Sequence, residues 1–241
     1  MGVYSGTEIS EEGLVLCLDA ANPRSYGGSG TTWYDLTNDE KNITLINSPS
    51  FSSNNSGILT FDGIDDYGYT NATDISSDTG LTISIWLYGI KWHLENCPCV
   101  NNAGILDWST GYWNMASINS NLGGPYFTLY ADSPSETPST INRKNISFGA
   151  TNQLNQWLNL VATYDDTSKE IKTYNNTNLV GNSSIQIDFS ISARVHLARY
   201  MRHCGNCPSN IIMPQIKIYN RALSAQEITQ NFKATRGRFG L

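Results

Sequence analysis

The stretch Ile218–Ile228, with the sequence IYNRALSAQEI, contains the end of a strand, a turn and the start of a helix. Apolar residues lead into it over Ile211–Tyr219, which we predict to be a strand. Ser224 is a good N-cap residue, and Glu227, three positions later, completes a capping box. The pattern therefore predicts a helix over Ala225–Lys233, directly after a strand.

The predicted helix has one apolar side. Leu223 and Ile228 are placed to contact each other across the N-cap as a hydrophobic staple. Ile228 and Phe232 then form a single apolar stripe, which is typical of a helix that lies on a sheet.

Short apolar segments, separated by Gly, Asn, Ser and Pro, recur along the rest of the chain and indicate an all-β protein. In Leu81–Ile90, alternation places Leu81, Ile83, Ile85 and Leu87 on one face, with Trp86 and Tyr88 on the other. The predicted strands are Gly13–Ala20, Gly57–Asp62, Tyr67–Thr70, Leu81–Ile90, Gly104–Asp107, Tyr112–Ile118, Tyr126–Ala131, Gln156–Tyr164, Lys169–Tyr174, Asn178–Gly181, Val195–Arg199 and Ile211–Tyr219. We predict one antiparallel β-sandwich over residues 13–241, preceded by an N-terminal arm over residues 1–12.

The composition excludes several classes of function. The 241 residues include 15 Lys and Arg against 21 Asp and Glu, for a net charge of −6, so we expect no nucleic-acid partner. No apolar run of about 18 residues occurs, so we expect no membrane insertion. The first residues lack the basic and apolar regions of a signal peptide, which predicts synthesis in the cytoplasm.

Five segments, in chain order, resemble the laminin-G-like family of concanavalin A-like lectin/glucanase jelly rolls. They are GLVLCLDAANPRSYGGSGTTWYDLTN, FDGIDDYGY, LTISIWL, QWLNLVATYDDTSKEIKTYNN and IKIYNRALSAQEITQNF. The resemblance extends from Gly13 to Phe232, and its most specific pieces are IYNRALSAQEI and FDGIDDY. It implies an all-β, concanavalin A-like (laminin-G-like) antiparallel jelly-roll sandwich with one short C-terminal helix.

The resemblance also implies roles for single residues and a biological setting. Gly63 is expected to supply an unusual backbone angle, Phe61 and Tyr67 to face the core, and Arg221 to hold the turn before the helix by hydrogen bonds. The ends GLVLCLDAANPRSY and GRFGL are similar to a version common in virion proteins of tailed phages, marine phages especially.

Four of the five cysteines form two short motifs, CPC with Cys97 and Cys99, and CGNC with Cys204 and Cys207. The first motif follows the predicted strand Leu81–Ile90, and the second precedes the strand at Ile211. In laminin-G-like folds the corresponding strands are expected to be antiparallel neighbours, which would bring the four sulfurs together. Four thiolates from two loops suit a structural zinc site.

Two alternatives to zinc stay open. Disulfides could cross-link the loops, because a bridge within CPC would be strained, or the thiols could be free. The missing signal peptide favours reduced thiols and a metal, whereas the oxidising surroundings of a released virion favour disulfides. His93 and His203 flank the motifs and could each replace a cysteine ligand. Cys17, in a predicted strand, is expected to be a buried thiol.

The acidic residues do not indicate an enzyme. Hydrolases of this fold class carry closely spaced carboxylates on a strand, because glycoside hydrolysis needs two carboxyl groups a few ångströms apart. None of the eight Glu residues occurs in such a pattern. Asp62, Asp65 and Asp66 are interpreted as turn residues, and Asp107 is the weak remaining candidate. We therefore predict a protein that is not an enzyme.

Glycan binding is a frequent use of the family, through aromatic faces and amide or carboxylate side chains. The candidate glycan-binding residues are Trp92, Asp107, Trp108, Tyr112, Trp113 and Asn114. The alternative is that these aromatic residues belong to the core. Calcium is a further cofactor candidate, with Asp107 and Asp132 as ligands.

The first functional hypothesis is a non-enzymatic structural protein of a phage virion: a capsid decoration, fibre or tail appendage that adheres to host surface glycans. Its expected partners are other capsid or tail subunits and further copies of itself, with the arm Met1–Glu12 as a docking segment. The alternatives are a free carbohydrate-binding lectin module and, third, a glycoside hydrolase of the same fold.

Overall fold

In the computed structural model, the described residues are 8–37, 41–70, 75–77, 79–91, 103–109, 114–121, 123–131, 142–151, 153–186, 191–200 and 207–241. The strands are β1 (Leu14–Asp19), β2 (Thr32–Trp33), β3 (Ile43–Ile46), β4 (Ser50–Ser52), β5 (Ile58–Asp62), β6 (Tyr67–Thr70), β7 (Ile75–Ser77), β8 (Gly80–Lys91), β9 (Ala103–Ser109), β10 (Asn114–Asn121), β11 (Gly124–Ala131), β12 (Asn142–Ser147), β13 (Trp157–Asp165), β14 (Glu170–Asn175), β15 (Asn178–Ser184), β16 (Ile191–Leu197), β17 (Arg199–Tyr200), β18 (Cys207–Pro208) and β19 (Asn210–Tyr219). The helix α1 spans Ala225–Thr235, and 3₁₀ turns span Asn54–Ser56 and Arg236–Phe239.

The strands form two antiparallel sheets that pack face to face. The eight-stranded sheet has the order β15-β14-β13-β8-β19-β5-β4, with β1 also paired to β19. The nine-stranded sheet has the order β12-β11-β10-β9-β16-β6-β3-β2, with β7 paired to β16, and β17 and β18 form a separate hairpin. The antiparallel sandwich predicted from the sequence is confirmed.

The core lies between the two sheets and follows the alternation along each strand. In β8, Leu81, Ile83, Ile85 and Leu87 are fully buried in this core, as predicted. Trp86 points to the opposite face of the eight-stranded sheet, where its ring stacks on Phe239 at 4.2 Å between centroids. Successive side chains of a strand point to opposite faces of the sheet, and this alternation produces the division into a core face and an outer face.

Helix α1 covers the outer face of the eight-stranded sheet. Ser224 is its N-cap, and the reciprocal hydrogen bonds with Glu227 form the predicted capping box. Leu223 and Ile228 are buried in the same small cluster, as expected for the staple. Phe232 stacks on Trp86, with the ring centroids 5.5 Å apart. Among the described residues, no helix has the length and apolar character needed to cross a membrane.

The described part of the N-terminal arm, residues 8–12, contacts the same helix. The backbone N–H of Ser10 donates to Oδ1 of Asn231 at 2.8 Å, and Gln230 donates to the carbonyl of Glu8 at 2.7 Å. Residues 8–12 are therefore attached to their own domain. Docking of the arm on a neighbouring subunit stays a prediction.

Several short strands were not predicted from the sequence: β2, β3, β4, β7, β12 and β18. Five of the six have only two to four residues, so they carry too little alternation to be recognised. The prediction for Tyr67 was wrong. In β6 the side facing the core is occupied by Gly68 and Thr70, which leaves Tyr67 half-buried on the outer face.

Candidate functional site

The strand before the first cysteine motif and the strand after the second are neighbours in the sheet. β8 and β19 are antiparallel partners, with Lys91 opposite Asn210. The expected pairing is confirmed, so the chain leaving β8 starts beside the chain entering β19. Cys97, Cys99 and Cys204 lie outside the described residues, as do the flanking His93 and His203.

The two described cysteines differ in chemical state. Cys207 is fully buried at the start of β18 and is disulfide-bonded. This is the state that the cross-link alternative expects, and a sulfur in a disulfide is not available as a zinc thiolate. Cys17 is a free thiol, 7% exposed, and burial raises its pKa to about 11. The zinc site stays a prediction, because its other ligands lie outside the described residues.

The predicted glycan-binding residues do not form an exposed aromatic surface in the described part of the chain. Trp108 is fully buried in the core between the sheets, so its faces cannot stack on a sugar. Asp107, its neighbour in β9, is also fully buried, on the other side of the sheet. Asn114 begins β10 opposite Ser109. Three further candidates lie outside the described residues: Trp92, Tyr112 and Trp113.

The acidic cluster of FDGIDDY is a turn, as predicted. Carboxylate oxygens of Asp62, Asp65 and Asp66 all lie within 4.8 Å of one another. Oδ1 of Asp62 accepts hydrogen bonds from the backbone N–H groups of Ile64, Asp65 and Asp66. Although partial burial raises the pKa of Asp62, these backbone donors lower it overall. Local hydrogen bonding therefore accounts for the cluster. Of the weak calcium candidates, Asp132 lies outside the described residues.

One transverse row of the nine-stranded sheet is polar from end to end. Cross-strand pairs join its members directly, on seven neighbouring strands: Thr44, Tyr69, His196, Asp107, Ser117, Thr128 and Asn145. The next row along the same strands is largely apolar and contains Ile43, Val195, Trp108, Ala116 and Leu129. The polar row thus lies on the outer face of the sheet, which we call the polar face.

The middle of the polar face is buried and its two ends are accessible. Asp107, Ser117 and Thr128 are each at most 1% exposed. At the β12 end, Asn145 is exposed and accepts from the hydroxyl of Thr128 at 3.0 Å. There a cavity of about 290 Å³ is lined by Asn121, Gly123, Gly124, Pro125, Tyr126, Asn145 and Ser147.

At the β6 end, two tyrosines form an aromatic platform. The rings of Tyr67 and Tyr69 stack with their centroids 6.3 Å apart, and both side chains are half-buried. The imidazole of His196 lies next to Tyr69, also at 6.3 Å between centroids. The guanidinium carbon of Arg199 lies 4.4 Å from the centroid of the Tyr67 ring. Aromatic faces beside polar groups are the arrangement that binds amphipathic ligands such as sugars.

The platform adjoins a group of basic residues, the basic corner, formed by Arg194, His196 and Arg199. Burial, together with the charges of Arg199 and Arg194, lowers the pKa of His196 to about 4. His196 is therefore neutral near pH 7. Its Nδ1 and the Nε of Arg199 are buried and have no hydrogen-bond partner among the described residues.

The platform and the basic corner were not identified from the sequence, although their strands were. The segments YGY in β6 and ARVH in β16 alternate in character, which indicates that Tyr67 and Tyr69 share one face of their strand and that Arg194 and His196 share one face of theirs. What the sequence lacks is a signal that β6 and β16, more than 120 residues apart, are neighbours.

Comparison with protein families matches residues 62–229, more than half of the chain, to a laminin G family described as the concanavalin A-like lectin/glucanases superfamily. A comparison with curated proteins finds no match. Among solved structures, the chain is similar to the binding domain of botulinum neurotoxin serotype G, with 13% identity and a TM-score of 0.67 over 91% of this chain and 50% of that one.

Two other similar structures were solved with bound partners. The serotype D ligand-binding domain, in complex with N-acetylneuraminic acid, has 12% identity and a TM-score of 0.64 over 92% of this chain and 50% of that one. The DC binding domain, in complex with rat synaptotagmin II, has 16% identity and a TM-score of 0.66 over 92% and 52%. The chain therefore spans about half the length of these structures, and the likeness shows the fold alone. On the family match and the observed jelly roll, the chain belongs to the concanavalin A-like lectin/glucanase superfamily, with a laminin G-like fold.

Proposed function

We propose that this chain is a non-catalytic glycan-binding module, and that the Tyr67–Tyr69 platform at the β6 end of the polar face holds the sugar. The observation that carries the proposal is the juxtaposition of a half-buried aromatic pair with the imidazole of His196 and the half-buried guanidinium group of Arg199. Sugars present apolar C–H faces and a ring of hydroxyl groups, so they satisfy both features at once.

The groups around the platform suit a polyhydroxylated ligand. The tyrosine rings offer stacking surfaces, and Nδ1 of the neutral His196 accepts or donates according to its tautomer. The described strand residues of the polar face contribute Asp107 as their one carboxylate, whereas glycoside hydrolysis uses two. This supports binding without turnover.

The biological setting that we propose is a phage virion, in which the module serves as a capsid decoration, fibre or tail appendage. Support comes from the sequence, through the resemblance of GLVLCLDAANPRSY and GRFGL to phage virion proteins. The proposed partners are other virion subunits, further copies of the chain and host surface glycans. Antibodies against the chain are expected to label intact virions, and labelling restricted to soluble lysate would favour the free lectin instead.

A glycan array followed by calorimetry on the best ligand tests the binding site. Tyr69→Ala is expected to weaken binding at least about tenfold, because it removes one of the two aromatic faces on which a sugar would stack. Asn145→Ala, at the far end of the same face, is the matched control and is expected to leave the affinity unchanged. Loss of binding in Asn145→Ala alone would move the site to the β12 cavity.

Asn182→Ala removes an exposed asparagine from β15 of the other sheet and controls for general surface effects. No binding of any saccharide by the wild-type chain would contradict the proposal. Turnover of a polysaccharide that disappears in Asp107→Asn would show that the protein is a hydrolase.

A further inference from the structure

We propose that the glycan bound at the platform is acidic, and that Arg194 and Arg199 of the basic corner hold its negatively charged group. This inference rests on the proposed function, because it names the class of sugar that the same site takes. It goes further in predicting a preference for anionic saccharides by a protein whose own net charge is −6.

The first step is the contrast between these arginines and other basic side chains of the chain. Arg221 pairs with Glu227, Arg238 with Asp19, Lys169 with Asp166 and Lys172 with Glu170, at 2.5 to 2.8 Å. Within the described ranges, neither Arg194 nor Arg199 forms an ion pair. Two arginines that have no carboxylate partner among the described residues, and whose charges both reach His196, provide charge that is available for a ligand.

The second step is the environment of Arg199. Its side chain is half-buried, and its guanidinium group lies over the Tyr67 ring. Stacking on the ring fixes the plane of the guanidinium group and leaves its N–H edge for hydrogen bonding. The Nε is buried without an acceptor among the described residues. The exposed part of a charged group held in this orientation is suited to a carboxylate or sulfate oxygen, which accepts charge-assisted hydrogen bonds from arginine.

The third step is the position of the charge relative to the stacking surface. Arg194 and His196 are two residues apart in β16, so both side chains lie on the polar face. Arg194 is exposed, and Arg199 approaches from the Tyr67 side. The tyrosine platform therefore has a cation at the Tyr67 end and another beside His196. A sugar on the platform would bring a ring substituent close to one or both cations.

Among the described strand residues of this face, the carboxyl group belongs to Asp107, which is opposite His196 in the β9–β16 pairing. Asp107 is fully buried, whereas Arg194 is exposed and Arg199 half-buried, so the accessible charge of the basic corner is positive. The accessible groups favour an anionic substituent over a cationic one.

The test compares three polymers of one sugar type: polygalacturonate, sulfated galactan and neutral galactan. The purified chain is expected to bind at least one anionic polymer about tenfold more tightly than neutral galactan at low salt, because charge-assisted hydrogen bonds are the strong ones. The difference should shrink as the ionic strength rises, since screening weakens exposed charge pairs. Preference for polygalacturonate assigns a carboxylate, and preference for sulfated galactan assigns a sulfate.

Arg194→Gln is expected to abolish the preference while binding of neutral galactan is retained, and Arg199→Gln is expected to lower the affinity for the anionic polymers more than that for neutral galactan. Arg236→Gln, at an exposed arginine on the C-terminal turn, is the matched control and should keep the preference. Circular dichroism melts confirm folding, and Arg194, being exposed, provides a variant that leaves packing intact.

The outcomes separate this inference from the proposed function. Equal binding of neutral and anionic polymers, or a preference that survives both arginine variants, would overturn the inference and leave glycan binding standing. Failure of every polymer to bind, with no saccharide retained on the glycan array, would contradict both.

Discussion

The guanidinium group of Arg221 donates to both carboxylate oxygens of Glu227, at 3.1 Å to Oε2 and 2.5 Å to Oε1. The same arginine donates to the carbonyl of Glu12 and the hydroxyl of Ser10, and Glu227 also completes the capping box with Ser224. One ion pair thus joins the end of β19, the start of α1 and the N-terminal segment. This explains why the stretch IYNRALSAQEI is the most informative part of the sequence.

We expect Glu227→Gln to lower the free energy of unfolding by about 1–2 kcal/mol, because it removes charge-assisted hydrogen bonds from a partly buried pair. Chemical denaturation at pH 7 measures the change. Glu170→Gln is the matched control, because Glu170 also pairs with a basic residue, Lys172, but its side chain is 41% exposed. Exposed pairs contribute little, so the control should change stability by less than about 0.5 kcal/mol. Equal effects would refute the role assigned to the Arg221 pair.

The same pair predicts a loss of stability in acid. The side chain of Arg221 lowers the pKa of Glu227 from 4.5 to about 2. A carboxylate with a depressed pKa in the folded state stabilises the fold above its unfolded pKa and loses that effect as the pH falls through the folded value. The stability difference between wild type and Glu227→Gln should therefore be full at pH 7, decrease below about pH 4.5 and be small at pH 2. A difference independent of pH would contradict this origin.

The fold was predictable from local pattern to a large extent, and the site was not. Alternation in Leu81–Ile90 and the capping signals around Ser224 depend on neighbouring residues, so the strand and the helix were predicted correctly. Trp108 has the same alternating surroundings whether its side chain faces the core or the solvent, so both interpretations stayed open at the level of the sequence. Tyr69 and His196 meet through the pairing of β6 with β16, which no local signal specifies. Register between distant strands is a property of the assembled sheet.

Gly63 was predicted from the sequence to need an unusual backbone angle, and its φ of 74° confirms this. A Cβ at this position would lie 2.8 Å from Cβ and 2.9 Å from the backbone nitrogen of Asn210, on the neighbouring strand. We expect Gly63→Ala to destabilise the protein by about 1–3 kcal/mol, through both strain and crowding. Gly237→Ala is the matched control, because no atom lies within 4 Å of its Cβ position. Thermal melts showing similar losses for both variants would contradict the assignment.

The lowered pKa of His196 predicts a second pH range in which acid destabilises the protein, at higher pH than the range set by Glu227. Burial, together with Arg199 and Arg194, lowers its pKa from 6.5 to about 4. A histidine that stays neutral when folded binds fewer protons than in the unfolded chain, so stability falls as the pH drops below 6.5 and levels off below 4. The full effect is up to about 3 kcal/mol at 1.36 kcal/mol per unit.

Urea denaturation of wild type and His196→Asn between pH 4 and pH 7 measures the effect of His196 directly. The stability difference between the two proteins should change across this range in favour of the variant as the pH falls. If the two proteins lost stability in parallel as the pH fell, burial would not lower the pKa of His196, which would contradict this prediction.

The disulfide at Cys207 predicts a redox-dependent stability. Cys207 is disulfide-bonded and fully buried beside the start of β19, whereas Cys17 is a buried free thiol. Reduction, or Cys207→Ser, is expected to lower the free energy of unfolding by about 2–4 kcal/mol, the usual contribution of a native disulfide. Cys17→Ser is the control for loss of a buried sulfur without a cross-link, and reductant should not affect its difference from wild type.

Titration of free thiols in the denatured, non-reduced protein, with elemental analysis of the native protein, decides between the disulfide and the zinc site predicted from CPC and CGNC. Fewer than five reactive thiols and no zinc would support the disulfide, because each bridge removes two of the five thiols in the chain. About one zinc per chain with all cysteines reactive after chelation would instead establish a tetrahedral thiolate site. That result would contradict the disulfide at Cys207. It would still require the two cysteine loops to lie close together, because four sulfurs bind one ion only if both loops reach it, as the pairing of β8 with β19 allows.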